Sequence, residues 1–204
     1  MPREAAAASD AAGEHVPVER TPADTTVKHV GGRTYYCHGK ERGATHPTRR
    51  KTVAVGRTVL LRKRTRARHC RLGRRPDRRC SPGAFYSKLT KRVICSRSFR
   101  TSQVRHVTYA MRYRVEREYG LKPGHYGRRL EIDHIVPLEL GGSNALANLF
   151  PERNFRTAGY HVKDRLENRL HRMVCSGHLK LQVAQRAIAA NWRALYRHVF
   201  AGGV

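Results

Sequence analysis

The sequence predicts an α+β fold: a small core read as helix, strand, turn, strand, helix and helix, with a long, strongly basic, disordered N-terminal arm before it. Three observations lead there. Apolar residues concentrate after residue 100. The run from Leu130 to Val136 reads as a strand, and the spacing of Leu166, Leu170, Met173 and Val174 reads as a helix. The stretch 49–79 holds 14 Lys or Arg against a single acid, Asp77, too much like charge to fold without neutralisation.

The elements follow in order. Residues 1–33 are rich in Ala, Glu and Thr, lack periodicity, and read as disordered. The basic stretch 49–79 has the composition of a nucleic-acid-binding arm. A solvated basic linker explains it equally well, and targeting is a third use of the same composition. The expected division is therefore an arm over 1–79 and a domain over 80–204. "CSPGAFYS" from Cys80 gives a turn and a short aromatic stretch. Thr101 or Ser102 can cap a helix that carries Val104, Val107, Met111, Val115 and Tyr119 and stops at Gly120. "KPGHYG" is a loop. The strand from Leu130 breaks at Pro137. Gly141-Gly142 and Ser143-Asn144 make a tight loop, and Asn148 to Phe150 is a short second strand ended by Pro151. A helix from Tyr160 ends before Gly177. A last one from Leu181 holds Val183, Ile188, Trp192, Leu195 and Val199, with Trp192 as core.

The bulk numbers restrict the function. In 204 residues, 42 Lys and Arg face 15 Asp and Glu, for a net charge of +27 and a pI near 11.2. Such a surplus calls for a polyanion, and phosphate backbones are the usual one. No amphipathic basic helix with Trp and Phe on one face supports a membrane surface instead. No run approaches the ~18 apolar residues of a membrane span. The N-terminus is mixed and charged, and TVAVGRTVLL is broken by Arg57 and followed by arginines, so neither is a signal peptide. The default location is cytoplasmic. Five cysteines without Cys-x-x-Cys spacing argue against a structural zinc site. A Cys80–Cys95 bridge is open in an oxidising compartment; reduced thiols are the expectation in the cytosol.

The stretch LEIDHIVPLELGGSNALANLFPE, Leu130 to Glu152, carries the chemistry. Neighbours on a strand diverge, so Asp133 and His134 reach one site only from two sides, with the second strand and the following helix folded over them. That helix carries His161 in its first turn. A carboxylate and a neutral imidazole can bind a divalent cation. A second imidazole can take a proton from water. Arg128, Arg129 and Lys163 are candidates to hold a phosphate backbone, and Lys163 and Asp164 could instead support ligands by hydrogen bonds. Each signal has a plainer explanation: a buried salt bridge for Asp-His, a turn for Gly-Gly, a charged helix face with a Lys163–Glu167 pair for HVKDRLENR.

In order, DHxxP, GGxN, NLxP and a later His resemble the HNH endonuclease family, the ββα-metal or His-Me finger nucleases. The resemblance covers about 80–195 and is strongest over 131–175. It implies a ββα-metal core and metal-dependent cleavage of phosphodiester bonds in nucleic acid, most often DNA. It implies His134 as general base and Asp133 and His161 as metal ligands. Asn148 would position the His134 loop. Magnesium is the expected ion, with manganese or nickel as alternatives. Asn154 and Asp164 compete with His161 for the third position. Many members flank the motif with zinc-binding cysteine pairs, and this chain does not. The alternative is a basic DNA-binding protein on the same scaffold that does not cut.

Overall fold

Part of the stretch that the sequence suggested as an arm carries defined structure. The computed structural model describes residues 25–30, 33–38, 53–153 and 159–201. Two units separate, Met1–Arg49 and Arg50–Val204. In the first, β1 (Thr25–Val30) pairs antiparallel with β2 (Arg33–His38), within and just beyond the stretch read as disordered.

The second unit begins well before Cys80. β3 (Thr58–Leu60) pairs antiparallel with β4 (Ala84–Tyr86), and Val53, Val55 and Leu61 pack against the main core. The charge of this segment is partly neutralised from within the domain. Arg64 bonds the buried carboxylate of Glu118 and donates to Cys80 O at 2.6 Å. Asp77 accepts from Arg71 N at 2.9 Å and Arg79 N at 3.0 Å. The expected boundary at residue 80 is thus corrected to Arg50. Composition overstated the repulsion because it could not see these local partners.

Two disulfides replace the expected reduced thiols and the Cys80–Cys95 option: Cys70–Cys80 and Cys95–Cys175. Cys80 is fully buried beside Cys70 in the smaller apolar cluster. Cys95 caps a short helix, α1 (Lys91–Ile94), that lies against the last turn of a later one.

A 3-10 turn covers Thr101–Gln103, and the expected helix starts only at α2 (Tyr109–Glu118). Thr108 caps it, its Oγ1 accepting from Met111 N at 3.2 Å. The delay has a cause. Asn144 donates to Val104 O at 2.7 Å and accepts from His106 N at 3.2 Å. A backbone held by a side chain in this way cannot also continue a helical ladder. Gly120 follows α2 with φ +68°, the left-handed conformation that ends helices.

β5 (Leu130–His134) and β6 (Leu149–Arg153) form an antiparallel pair, with Asp133 opposite Phe150 and His134 opposite Leu149. Leu130, Ile132 and His134 are buried while Glu131 and Asp133 are half-buried, the alternation a strand requires. β6 runs through Pro151 rather than stopping there. Ile135 N donates to Asn148 O at 2.8 Å, so by alternation Asp133–Phe150 is a hydrogen-bonded pair and Ile132–Pro151 is not. A proline costs no ladder bond at such a position.

After β6 come α3 (Tyr160–Ser176), closed by Gly177 at φ +90°, and α4 (Leu181–Ala201), bent at Asn191. Leu166, Leu170 and Val174 of α3 and Ala184, Ile188 and Trp192 of α4 join Val136, Leu138 and Leu140 in the main core. The architecture is α+β. No helix among the described residues is long and apolar enough to cross a membrane.

Candidate functional site around His134

The loop after β5 is held by Asn148. Its Oδ1 accepts from Ala84 N at 3.0 Å and Val136 N at 2.9 Å. Its Nδ2 donates to Val136 O at 2.9 Å and Ser143 O at 2.8 Å. The residue is fully buried, so one amide ties β4, the end of β5 and the Gly141-Gly142 turn together.

The turn itself needs glycine. A Cβ on Gly142 would sit 1.8 Å from Val136 O, and Gly141 has φ +75°. This close approach lets Gly142 N donate to Pro137 O at 2.9 Å, and it brings Asn144 back beneath His134.

His134 Nε2 lies 3.1 Å from Asn144 Oδ1. The partners of Asn144 decide which ring nitrogen carries the proton. Its amide orientation is fixed twice, by the donor bond to Val104 O and by the N–H of His106. Oδ1 can only accept, so Nε2 must donate. The neutral ring then has its lone pair on Nδ1. Burial pushes the imidazole down to about 4, although Asp133 and Asn144 work the other way. His134 is therefore uncharged at neutral pH, with Nδ1 able to accept a proton. Arg105 is close enough to add to the depression, and its exposed guanidinium is the nearby positive charge that sequence reasoning missed.

Asp133 is engaged differently than expected. Its Oδ1 accepts from His134 N at 2.7 Å and its Oδ2 accepts from Lys163 Nζ at 2.6 Å. Lys163 is 0 % exposed. It also donates to His134 O at 2.7 Å and to Glu167. Its assignment to the nucleic-acid surface is corrected: the ammonium is an internal cation with no reach to solvent. The reason is non-local, since β5, β6 and α3 each direct an acid at it. Burial disfavours its charge, but Asp133, Glu167 and Glu152 outweigh that and raise its pKa.

Burial pushes Glu152 up to about 9 and Glu167 up to about 8; the Asp133 carboxylate adds to both shifts and Lys163 opposes them. Burial and Asp133 thus favour the protonated form of each glutamate, and the Lys163 ammonium favours the ionised one. Burial works against the Asp133 charge, but Lys163 pairs with it and holds its pKa below the usual value. The cluster gathers one ammonium and three carboxyl groups, Asp133, Glu152 and Glu167.

His161 stands apart. Its side chain is 71 % exposed, its Nδ1 lies 3.9 Å from Asp164 Oδ2, and its ring is 4.2 Å from that of Tyr160. Asp164 is also exposed. Among the described residues, the one group of three potential ligand side chains is Cys95, His171 and Cys175, and its cysteines are already bonded to each other. The donor set expected for a divalent ion is therefore not assembled: Lys163 occupies Asp133, and His161 faces Asp164. Asn154 and the side chain of Arg128 lie outside the described residues. Arg129 is exposed, with Nη2 3.4 Å from His125 O.

Asn144 is the main residue that went unassigned. It was visible in the sequence as the last position of GGxN, but its bonds to residues 86, 104, 106 and 134 required the fold. Comparison with protein-family models, curated proteins and solved structures finds no match.

Proposed function

We propose that the chain is an endonuclease of the ββα-metal type that hydrolyses phosphodiester bonds, with DNA as its substrate. One observation carries this reading: a neutral imidazole, His134, fixed as the Nε2–H tautomer by Asn144 beside a strand pair that leads into α3. In the reaction, Nδ1 takes the proton of the attacking water as its oxygen bonds to phosphorus, the bond to the leaving oxygen breaks, and that oxygen takes a proton from solvent. Arg105, whose charge reaches His134, would offset phosphate charge. Asn148 holds the loop in position.

The resemblance also implies a magnesium ion, or manganese or nickel. Asp133 and His161 as described do not form its site. That disagreement, together with the 2 % exposure of His134, favours a second reading: a basic DNA-binding protein on a nuclease-like scaffold that does not cut. The two disulfides favour an oxidising compartment over the cytoplasm for either reading.

Plasmid cleavage separates the readings. Purified protein is incubated with supercoiled DNA in magnesium, manganese or EDTA, beside His134→Ala. Nicked or linear product that EDTA and the variant both abolish supports the nuclease. Binding by both proteins with no product in either metal leaves the non-cutting scaffold.

A further inference from the structure

A second basic feature lies apart from His134. Between the disulfide-closed loop and the bend of α4 is a cleft of about 720 Å³. One wall carries Arg66, Arg71, Arg74, Arg75, Arg78 and Arg79. The other is α4 at its bend, with Asn191, Trp192 and Arg193. We propose that this cleft is the docking groove for the phosphodiester backbone of a nucleic acid. The inference rests on the nucleic-acid reading above and assigns it a place.

Three features distinguish the groove from diffuse surface charge. First, the loop is built. Cys70–Cys80 closes it, and Asp77 bonds the backbone N–H groups of Arg71 and Arg79 across it. Burial works against the Asp77 carboxylate, but these bonds and the charges of Arg66 and Arg79 hold it below the usual range. The lone acid of the loop is thus spent on structure. Second, the five arginines inside the loop, Arg71, Arg74, Arg75, Arg78 and Arg79, are all exposed. Third, the opposite wall is shaped. Asn191 leaves helical geometry at φ −165° and ψ 85°, and its Oδ1 accepts from Ala194 N at 3.2 Å, capping the second half of α4. The floor includes apolar side chains, Ile188 and Ala189. Guanidiniums over a partly apolar floor suit a chain of phosphates and sugars better than a single small anion.

Trp192 is the only tryptophan of the chain. It is 2 % exposed in this wall, and its indole N–H has no acceptor among the described residues. It lines this groove and joins the main core, so its emission reports on this end of the domain.

The test uses the full chain in EDTA, so that cleavage does not intervene. A labelled duplex 20-mer and its single strand are titrated at several salt concentrations, with anisotropy and Trp emission read together. The variant is Arg71→Gln/Arg75→Gln/Arg78→Gln. A control removes three exposed arginines elsewhere: Arg97→Gln/Arg117→Gln/Arg172→Gln. Expected is a Trp emission change on binding to wild type. The cleft variant should bind about tenfold or more weakly, lose the emission change, and lower the slope of log K against log salt for duplex by roughly 3, near 0.9 per lost phosphate contact. The control should keep the emission change and most of the affinity. Equal loss in both variants, or oligonucleotide binding that leaves Trp192 unaltered, overturns the groove while the nucleic-acid reading stands. The same holds if vesicles of phosphatidylglycerol and phosphatidylcholine, but not oligonucleotides, require the cleft arginines. Absence of any oligonucleotide binding by wild type removes the underlying reading itself.

Discussion

Replacing Lys163 by Met should be among the most damaging single changes in the domain. The substitution removes the one cation that Asp133 and Glu167 bond and leaves the volume nearly filled. The isolated Asp133 carboxylate must then take a proton or remain ionised in the core. Removing one partner of a buried ion pair typically costs about 3–5 kcal/mol. At about 2–4 °C per kcal/mol for a unit of this size, the melting temperature should fall by roughly 6–20 °C. The sign with pH follows from the shifts. Lys163 has a raised folded pKa, so its contribution is complete below its ordinary value and is lost only as pH rises through the folded one. Asp133 has a lowered pKa, so its share is present above the usual carboxylate range and vanishes as pH falls through the folded value. The deficit of the variant should therefore be full at pH 7 and smaller at pH 3, below the ordinary value of Asp133. Urea denaturation of both proteins at the two pH values, with disulfides intact, measures it. A loss below about 1 kcal/mol at pH 7 would refute Lys163 as the buried counter-ion.

The remaining predictions address the site and its frame. NMR should show His134 as the Nε2–H tautomer at pH 7, with no titration until near pH 4; a midpoint above 6 would contradict the burial argument. Because its folded pKa is depressed, stability from this group is complete above about 6.5 and lost between there and about 4, up to about 3 kcal/mol. Glu152 and Glu167 act in the opposite sense, their contribution falling as pH rises from the usual carboxylate range through about 8 to 9, so His134→Gln is the comparison that isolates the histidine. Asn148→Asp should destabilise by about 3 kcal/mol or more, since it sets a carboxylate oxygen against the carbonyls of Val136 and Ser143. Chemical denaturation checks it. Cys95→Ser/Cys175→Ser opens a crosslink spanning 80 residues and should cost about 4–5 kcal/mol, read as a lower denaturation midpoint.

The parts of the fold legible in the sequence are those set by local pattern. Leu166, Leu170 and Val174 recur at helical spacing, and Gly177 marks the end, so α3 was legible as a helix from near Tyr160 to before Gly177. β5 was legible from its apolar run, and the Gly141-Gly142 turn from its composition. What escaped depends on partners distant in the chain. Residues 53–79 looked unable to fold because Glu118, 54 residues after Arg64, could not be foreseen as its partner. The delayed start of α2 is imposed by Asn144, some 40 residues later. Lys163 sits on a charged helix face, where lysines are ordinarily solvated, and only the packing of β5 and β6 against α3 turns it inward. Of the candidate site, His134 and Asn148 share one hydrogen-bonded loop, while His161 does not join it.

The disulfide-closed arginine loop has a thermodynamic corollary. Folding gathers guanidiniums that the unfolded chain could spread apart, so the native state holds more self-repulsion than the denatured one. Any polyanion that prefers the native spacing relieves it and shifts the folding equilibrium by mass action. Such a ligand would act as a stabiliser of the whole domain through the Cys70–Cys80 tether and Asp77. Its thermal protection should fade with added salt, the reverse of what a purely apolar ligand would show.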